Sequence, residues 1–467
     1  MLYKKTDSYE LYHGQMQDEL SSFEENSIDS IVTDPPYELN FMNKGWDNSG
    51  IAFQKETWRK CYEVLKPGGH LLAFGGTRTF HRIACAIEDA GFEIRDTIMW
   101  IYGSGFPKSM NLGKTIDNKL GNERIKTGRI LHHAQKGVAV AEERGAIGGG
   151  AFGIAHDEEE TIGNSIWEGW GTALKPSFEP IIVARKPLDG TVASNCLKWG
   201  VGGINIDECR VEVEANRRMC GNTKKGGETS FILGAREETY TNKGRFPANT
   251  ILTYDDTDFD EVCGGFPDTK STGGSGECSI HSGLNGNVYM GGWNHQQAGE
   301  HFGGLGDEGS ASRYFYCAKA SKKDRDEGLD EFNAKYMAYS NQAQAELKRG
   351  NTEFNGDKFN KVQVIKNIHP TVKPTSLMQY LVRLVSPKGA TILDPFMGSG
   401  STGKAVMFEN RERNADYKFI GIEMTEDYLP ICEARINYAM TYVYNDDVKQ
   451  ISNETAAVVK QEKVSLW

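Results

Sequence analysis

Short apolar runs alternate along this chain with stretches whose apolar residues recur at helical spacing. Residues 9–12 and 30–32 predict strands on either side of a helix at 18–23, which makes one β-α-β unit. The same pattern predicts further helices at 57–64, 80–90, 376–385, 403–408 and 425–440, and further strands at 70–74, 92–101, 179–185, 391–393 and 418–423. We expect the strand at 179–185 to be a late member of the sheet, either parallel or antiparallel to its neighbours. Regular alternation of this kind indicates an α/β fold with a doubly wound, mostly parallel sheet.

The alternation is interrupted twice. A glycine-rich, weakly patterned stretch spans about 121–163, and residues 191–367 carry glycine clusters, many Asn and Ser, and only short aromatic pieces. Long segments without a regular pattern are typical of inserted, loop-rich regions. We therefore predict one half-domain at 1–190, a large loop-rich insertion at 191–367, a second half-domain at 368–445 and a flexible polar tail at 446–467.

One predicted strand ends at an acid, two prolines and an aromatic ring, which are Asp34, Pro35, Pro36 and Tyr37. Consecutive prolines can neither donate to a sheet nor continue a helix, so the chain must turn there. In an open α/β sheet the carboxyl ends of the strands face the ligand crevice. Asp34 and Tyr37 would then be a fixed acceptor beside a fixed ring, which suits a flat ligand with an amino group. For an isolated tetrapeptide a simple surface turn would be the better interpretation.

A second stretch, which follows the strand predicted at 391–393, changes that judgement. Gly398, Gly400 and Gly403 have the spacing of a dinucleotide-binding turn, and Glu423 lies 20 residues beyond Gly403, where such sites place an acid that binds a ribose. Glycines at the start of a helix let the backbone approach a ligand, and the exposed N–H groups favour an anionic group. The spacing alone also fits a nicotinamide site or a purely structural turn.

Composition narrows the class of protein. At 467 residues, the chain is long enough for two domains or for one domain with a large insertion. No apolar run approaches the roughly 20 residues of a membrane helix, and residues 1–5 lack the apolar core of a signal peptide, so we expect a cytoplasmic protein without a membrane segment. Nine cysteines without a Cys-x-x-Cys pair argue against a zinc ribbon and a disulfide framework, and we expect no metal. The net charge of −11 counts against nucleic-acid binding, although a local basic groove is enough for it.

The two motifs together resemble those of the amino-directed DNA methyltransferases. The segment Asp394-Pro395-Phe396-Met397-Gly398-Ser399-Gly400 is similar to the family's cofactor loop, and its position downstream of the Asp-Pro-Pro-Tyr motif is similar to the permuted β group. Residues 369–375 and 65–69 resemble other segments of that group, and residues 41–47 resemble phage and prophage members. The resemblance implies a circularly permuted S-adenosylmethionine-dependent methyltransferase fold, in which the insertion is the target-recognition region.

The resemblance also implies the reaction and the residues that carry it. A methyl group of S-adenosylmethionine would pass to the exocyclic amino nitrogen of a base flipped out of double-stranded DNA. Asp34 and the Pro35 carbonyl would accept the amino hydrogens, and Tyr37 would stack on the base. The implied cofactor residues are Lys373, Thr375, Asp394, Pro395, Phe396, Gly398, Ser399, Gly400, Thr402, Gly403 and Glu423, and Gln15 stands where family members usually have Asp.

Basic residues are the candidates for DNA contacts. Besides the pairs at 217–218 and 224–225, we single out Arg78, Lys108, Arg313, Lys322, Lys323 and Arg325, of which the last four lie in the insertion near aromatic residues. For any single one of them a solvated charged surface is the more common role.

We therefore predict a site-specific adenine-N6 DNA methyltransferase. Cytosine N4 is the alternative target, and Asp34 favours adenine because many N4 members of the resembled family carry Ser at that position. The absence of any Pro-Cys dipeptide argues against cytosine C5. A nicotinamide-dependent oxidoreductase and a catalytically silent DNA-binding protein are the alternatives from other classes. The sequence leaves open the recognition site, dimerisation, a cognate restriction nuclease, and the roles of residues 121–163 and Gln15.

Overall fold

The computed structural model of the chain describes residues 1–39, 45–102, 109–131, 158–211, 244–254, 268–270, 308–310, 315–319, 323–332, 335–338 and 362–442. Its strands are β1 (Leu2–Lys5), β2 (Tyr9–His13), β3 (Ile28–Thr33), β4 (Leu65–Phe74), β5 (Glu93–Tyr102), β6 (Ile125–Leu131), β7 (Glu158–Ile162), β8 (Phe178–Arg185), β9 (Thr250–Tyr254), β10 (Asp268–Lys270), β11 (Glu308–Ser310), β12 (Tyr316–Lys319), β13 (Lys335–Ala338), β14 (Val362–Ile365), β15 (Thr391–Asp394) and β16 (Lys418–Glu423). Its α-helices are α1 (Met16–Leu20), α2 (Lys55–Val64), α3 (Phe80–Asp89), α4 (Leu112–Leu120), α5 (Val192–Trp199), α6 (Thr375–Val385), α7 (Ser401–Arg413) and α8 (Leu429–Thr441).

Ten of these strands form one sheet in the order β1-β2-β16-β15-β3-β4-β8-β5-β9-β12. Its neighbouring strands are parallel except at β1, which is antiparallel to β2, and at β8, which is antiparallel to both β4 and β5. β8 is the strand predicted at 179–185, and its direction is antiparallel. β3 and β15 are adjacent, with Ile31 opposite Leu393. The two motifs that follow these strands therefore lie side by side at the carboxyl edge of the sheet.

Helices cover both faces of the sheet. Successive residues of a strand point to opposite faces, and on β3 Ile31 packs in the cluster of α1, α2 and α3, whereas Val32 packs in the cluster of α6, α7 and α8. On β4, Leu71 packs in the first of these clusters and Leu72 packs in the second. All four side chains are fully buried, which is why these strands are apolar on both sides. The predicted doubly wound, mostly parallel sheet is confirmed.

Part of the range predicted as an insertion belongs to the main sheet. β9 pairs in parallel with β5, and β12 pairs in parallel with β9. On α5, Asn195 donates from its amide nitrogen to the Pro67 carbonyl at 2.9 Å, beside β4. These elements are short and stand in a glycine-rich context, so periodicity did not single them out. The tail at 446–467 and most of the insertion lie outside the described residues.

The glycine-rich stretch at 121–163 contains two strands, β6 and β7, that pair in the antiparallel direction, with Ile125 opposite Ile162. Within the part of the chain that the structure describes, no helix has both the length and the apolar character that a bilayer crossing requires.

Candidate active site

A cavity of about 1220 Å³ lies at the carboxyl edge of the sheet. Residues of both predicted motifs line it, among them Asp34, Tyr37, Asp394, Phe396 and Glu423. Pockets for one small ligand usually measure about 300–1,000 Å³. The cavity is therefore larger than most pockets for one small ligand.

Asp34 follows β3 and presents its carboxylate to this cavity. Its Oδ2 accepts a hydrogen bond from Lys373 Nζ at 2.6 Å. Its Oδ1 is buried and has no hydrogen-bond partner among the described residues. Buried polar atoms are nearly always paired, because an unpaired one loses its hydration without compensation. Asp34 Oδ1 is thus an acceptor that fits an N–H donor of a ligand.

Lys373, which the sequence analysis named among the cofactor residues, lines the cavity and lies beside Asp34. Its Nζ is also 3.5 Å from Glu179 Oε2, and it lies over the rings of Tyr37 and Phe74 at 5.3 and 5.0 Å. Burial alone would lower the pKa of Lys373, but the two carboxylates outweigh it and raise the pKa above its usual value. The side chain therefore stays cationic and fixes the orientation of the Asp34 carboxylate.

Glu179 is a site residue that sequence reasoning missed. It accepts hydrogen bonds from the hydroxyl groups of Tyr37 at 2.7 Å and Tyr102 at 3.3 Å. Burial, followed by the charges of Asp34 and Glu179, raises the pKa of Tyr37 well above its usual value, so this phenol stays protonated. Glu179 lies at the amino-terminal end of β8, and because β8 is antiparallel that end meets the carboxyl ends of its neighbours. A search for acids after strands alone overlooks such a residue.

Asp394, at the end of β15, holds the glycine turn. It accepts hydrogen bonds from the hydroxyl groups of Thr33 at 2.6 Å and Thr402 at 2.5 Å, and from the Phe396 N–H at 3.1 Å. Burial raises its pKa to about 6 although these hydrogen bonds oppose the shift. Asp394 thus connects the end of the strand to the start of α7.

The turn itself needs glycine at two positions. Gly398 and Gly400 have φ angles of 56° and 74°, in the left-handed region that other residues avoid. The Gly398 N–H donates to Glu423 Oε2 at 2.8 Å, and the Thr425 N–H donates to Glu423 Oε1 at 2.7 Å. Burial raises the pKa of Glu423 to about 7 against these hydrogen bonds. Each carboxylate oxygen has further acceptor capacity for a ligand.

The remaining predicted cofactor residues divide into two groups. Pro395, Phe396, Ser399 and Thr402 line the cavity, as do Pro35, Pro36 and Gln15. Gly400, Gly403 and Thr375 do not. At Gly403 a Cβ would lie 2.5 Å from the Phe419 ring, so this glycine allows α7 to pack against β16. Thr375 starts α6, and its N–H donates to Asp324 at 2.6 Å.

Two cations with 0% exposure lie beneath the glycine turn, and no motif pointed to them. Arg435 donates to the Ser399 carbonyl at 2.7 Å and to its hydroxyl at 3.0 Å. Lys404 donates to Asp324 Oδ1 at 2.5 Å, and Arg435 Nη2 donates to the Asp324 carbonyl at 3.2 Å. Asp324 therefore ties the predicted insertion to α6, α7 and α8.

Three of the six basic residues singled out as DNA contacts lie among the described residues. Arg78 is exposed and lines the cavity, and Lys323 is exposed. Arg325 is partly buried and donates to the Asn367 carbonyl at 3.1 Å and to the His369 carbonyl, so its guanidinium supports the backbone. Lys108, Arg313 and Lys322 lie outside the described residues.

Comparison with known proteins bears on both halves of the site. The family model described as DNA methylase, of the N6 and N4 type, matches residues 28–143 and 306–434. The type II methyltransferase M.HindIII of Haemophilus influenzae is 24% identical over 239 residues, which cover 42% of this chain and 64% of the relative. M.HpaI of Haemophilus parainfluenzae is 36% identical over 107 residues (22% and 34%), and the DNA adenine methyltransferase YhdJ of Escherichia coli is 32% identical over 97 residues (21% and 31%). These matches span less than two thirds of each relative. Because the family model matches more than half of the chain, on both motifs, this protein belongs to the N6/N4 DNA methylase family.

Proposed function

We propose that this protein transfers a methyl group from S-adenosylmethionine to adenine N6 in double-stranded DNA. The observation that carries the proposal is Asp34 Oδ1, the buried acceptor without a partner among the described residues, in a cavity shared with the glycine turn. An exocyclic amino group is the kind of donor that this atom fits. The family and the printed name of the relative YhdJ support DNA adenine as the substrate.

The residues around the glycine turn fit the cofactor. S-adenosylmethionine supplies a methyl group made electrophilic by a sulfonium cation. Asp394 and Glu423 are buried carboxyl groups on either side of the turn, and their ionised forms attract a cation. Gly398 lines the cavity and has no side chain to keep a ligand from its backbone. We assign the turn to the methionine part, Glu423 to the ribose hydroxyls and Phe396 to ring packing.

The residues around Asp34 fit the acceptor base. An exocyclic amino nitrogen shares its lone pair with the ring, and acceptors for its hydrogens return that lone pair to the nitrogen. Lys373 occupies Asp34 Oδ2, which leaves Oδ1 for one amino hydrogen, and the Pro35 carbonyl takes the other. Tyr37, held by Glu179, stacks on the base. The chain aligns the two reactants and needs no covalent nucleophile.

The proposal extends to the DNA contacts. We assign target recognition to the insertion and phosphate contacts to Arg78 and Lys323, which are exposed.

Replacing Gly398 with Ala should weaken cofactor binding by about tenfold. Ala would have to adopt the left-handed backbone conformation of Gly398, and its Cβ would lie 2.9 Å from His369 Nε2. Isothermal titration with S-adenosylmethionine measures the change. Gly389→Ala is the matched control, because Gly389 has a φ of 79° but open space around its Cβ position. If both variants bind S-adenosylmethionine as tightly as the unchanged protein, the assignment of the turn to the cofactor site is wrong.

Cofactor affinity should rise by about tenfold between pH 6 and pH 8, as Glu423 loses its proton. Its pKa of about 7 in the free protein leaves Glu423 mostly protonated at pH 6 and mostly ionised at pH 8. The ionised form accepts hydrogen bonds and attracts the sulfonium cation, so binding is favoured on the alkaline side. Titrations at pH 6, 7 and 8 test this, and Glu423→Gln should bind more weakly and lose most of the slope, with a smaller part left by Asp394, whose pKa is about 6. A flat profile in the unchanged protein would contradict the assignment.

Transfer of tritium-labelled methyl groups from S-adenosylmethionine to unmethylated DNA tests the proposal itself. Label on the DNA is the expected result. A nicotinamide-dependent oxidoreductase would instead be stabilised in thermal unfolding by NAD and not by S-adenosylmethionine. A silent DNA-binding protein would bind DNA and leave it unlabelled.

A further inference from the structure

The segment of residues 172–177, which we call the rim segment, forms one side of the cavity just before β8. The N–H groups of Thr172 and Ala173 donate to Ser109 Oγ at 2.9 and 3.3 Å. At its other end the Ser177 carbonyl accepts a hydrogen bond from the Tyr102 N–H at 2.9 Å. Pro176 restricts the backbone between these two anchors. The rim segment is therefore anchored at both ends along one side of the cavity.

Leu174 is the large apolar side chain of the rim segment. It lines the cavity and is nevertheless 92% exposed. Single exposed apolar residues are common on protein surfaces. Leu174 differs from such a residue because of its position, between two fixed points of the backbone and on the same cavity as Asp34. Lys175 follows it, and Arg78 lines the same cavity.

We propose that Leu174 enters the base stack of the DNA and fills the space left by the base that rotates toward Asp34. Removal of a base from a duplex loses its stacking and its pairing. Proteins that unstack DNA insert apolar wedges such as Leu between the bases. Leu174 meets the requirements of a wedge, because it is apolar and exposed and lies between two anchored points of the backbone, and Arg78 on the same cavity can contact a flanking phosphate.

This inference rests on the proposed function and adds to it. Asp34 and Tyr37 hold the base after it has left the helix, whereas Leu174 stabilises the helix that the base has left. Loss of Leu174 should therefore matter most where the target base must be both unstacked and separated from a partner. That dependence distinguishes a wedge from a residue that merely supports the fold.

The experiment first maps the methylated position, by single-molecule sequencing of DNA from cells that express the unchanged protein. Two synthetic duplexes with that position are then compared, one normally paired and one with an abasic site opposite the target base. Leu174→Ala should methylate the paired duplex about tenfold more slowly than the unchanged protein, as expected when most of a leucine side chain no longer fills the base stack. On the abasic duplex its rate should return to within about twofold of the unchanged protein, because no pair has to be broken and only the smaller cost of unstacking remains.

Leu197→Ala is the matched control, because Leu197 is 91% exposed on α5 and does not line the cavity. It should match the unchanged protein on both duplexes, and both variants should bind S-adenosylmethionine normally. Equal rates for Leu174→Ala and the unchanged protein on the paired duplex would overturn the wedge, and so would an equal loss on both duplexes. An unchanged protein that methylates no DNA would overturn the proposed function, and the wedge with it.

Discussion

Replacing Asp34 with Asn should lower the rate of methyl transfer by about 10²–10³-fold and leave cofactor binding intact, as for the loss of one preorganised polar contact. Asn has one oxygen in place of two, and Lys373 Nζ, 2.6 Å from Oδ2, competes for it. The target amino group would then meet an amide N–H where it needs an acceptor. Single-turnover rates with DNA and titration with S-adenosylmethionine separate the chemical step from binding.

Asp89→Asn is the matched control, because Asp89 is an exposed aspartate at the end of α3. It should leave the rate unchanged. In the Asp34 variant Lys373 still has Glu179 as a partner, so thermal unfolding should reveal a folded protein. Transfer by Asp34→Asn at the rate of the unchanged protein would exclude Asp34 as the acceptor.

Replacing Asp324 with Ala should lower the free energy of unfolding by about 3 kcal/mol, the lower end of the usual cost of removing one partner from a buried ion pair, because Lys404 keeps Glu327 as a second partner at 2.8 Å. Lys404 and Arg435 have 0% exposure, and the Asp324 carboxylate accepts a hydrogen bond from Lys404 Nζ and lies 3.6 Å from Arg435 Nη2. Its loss also leaves the Thr375 N–H at the start of α6 without this acceptor. Urea unfolding followed by circular dichroism measures the change.

Asp330→Ala tests whether burial is the cause. Asp330 lies in the same segment, and its side chain is 93% exposed although Lys366 is 3.3 Å away. Exposed ion pairs contribute little, so this variant should stay within about 0.5 kcal/mol of the unchanged protein. Similar losses in the two variants would show that the segment, and not the buried charge of Asp324, sets the stability.

The sequence identified the two motifs for a physical reason. Apolar strands lead into Asp34 and into Asp394, and parallel strands of one sheet end at the same edge. The adjacency of β3 and β15 was not predictable in the same way. It depends on pairing between distant parts of the chain, here Ile31 with Leu393, which no local pattern encodes.

The part of the site that the sequence did not predict depends on the direction of a strand and on the burial of charged side chains. Glu179 belongs to the site because β8 is antiparallel, and periodicity does not reveal the direction of a strand. Lys373 lies in a non-repetitive segment before α6, so only the folded chain shows that its ammonium group meets Asp34. Asp324 stands in a region whose composition predicted loops, and its importance arises from two buried cations contributed by α7 and α8.

Mass spectrometry of nucleosides tests the central claim most directly. DNA is isolated from cells that lack their own methyltransferases and express either the unchanged protein or Asp34→Asn, and it is then digested to nucleosides. We predict N6-methyladenine with the unchanged protein and almost none with the variant. Only N4-methylcytosine would contradict the choice of adenine, and the absence of both modified nucleosides would contradict methyl transfer to DNA.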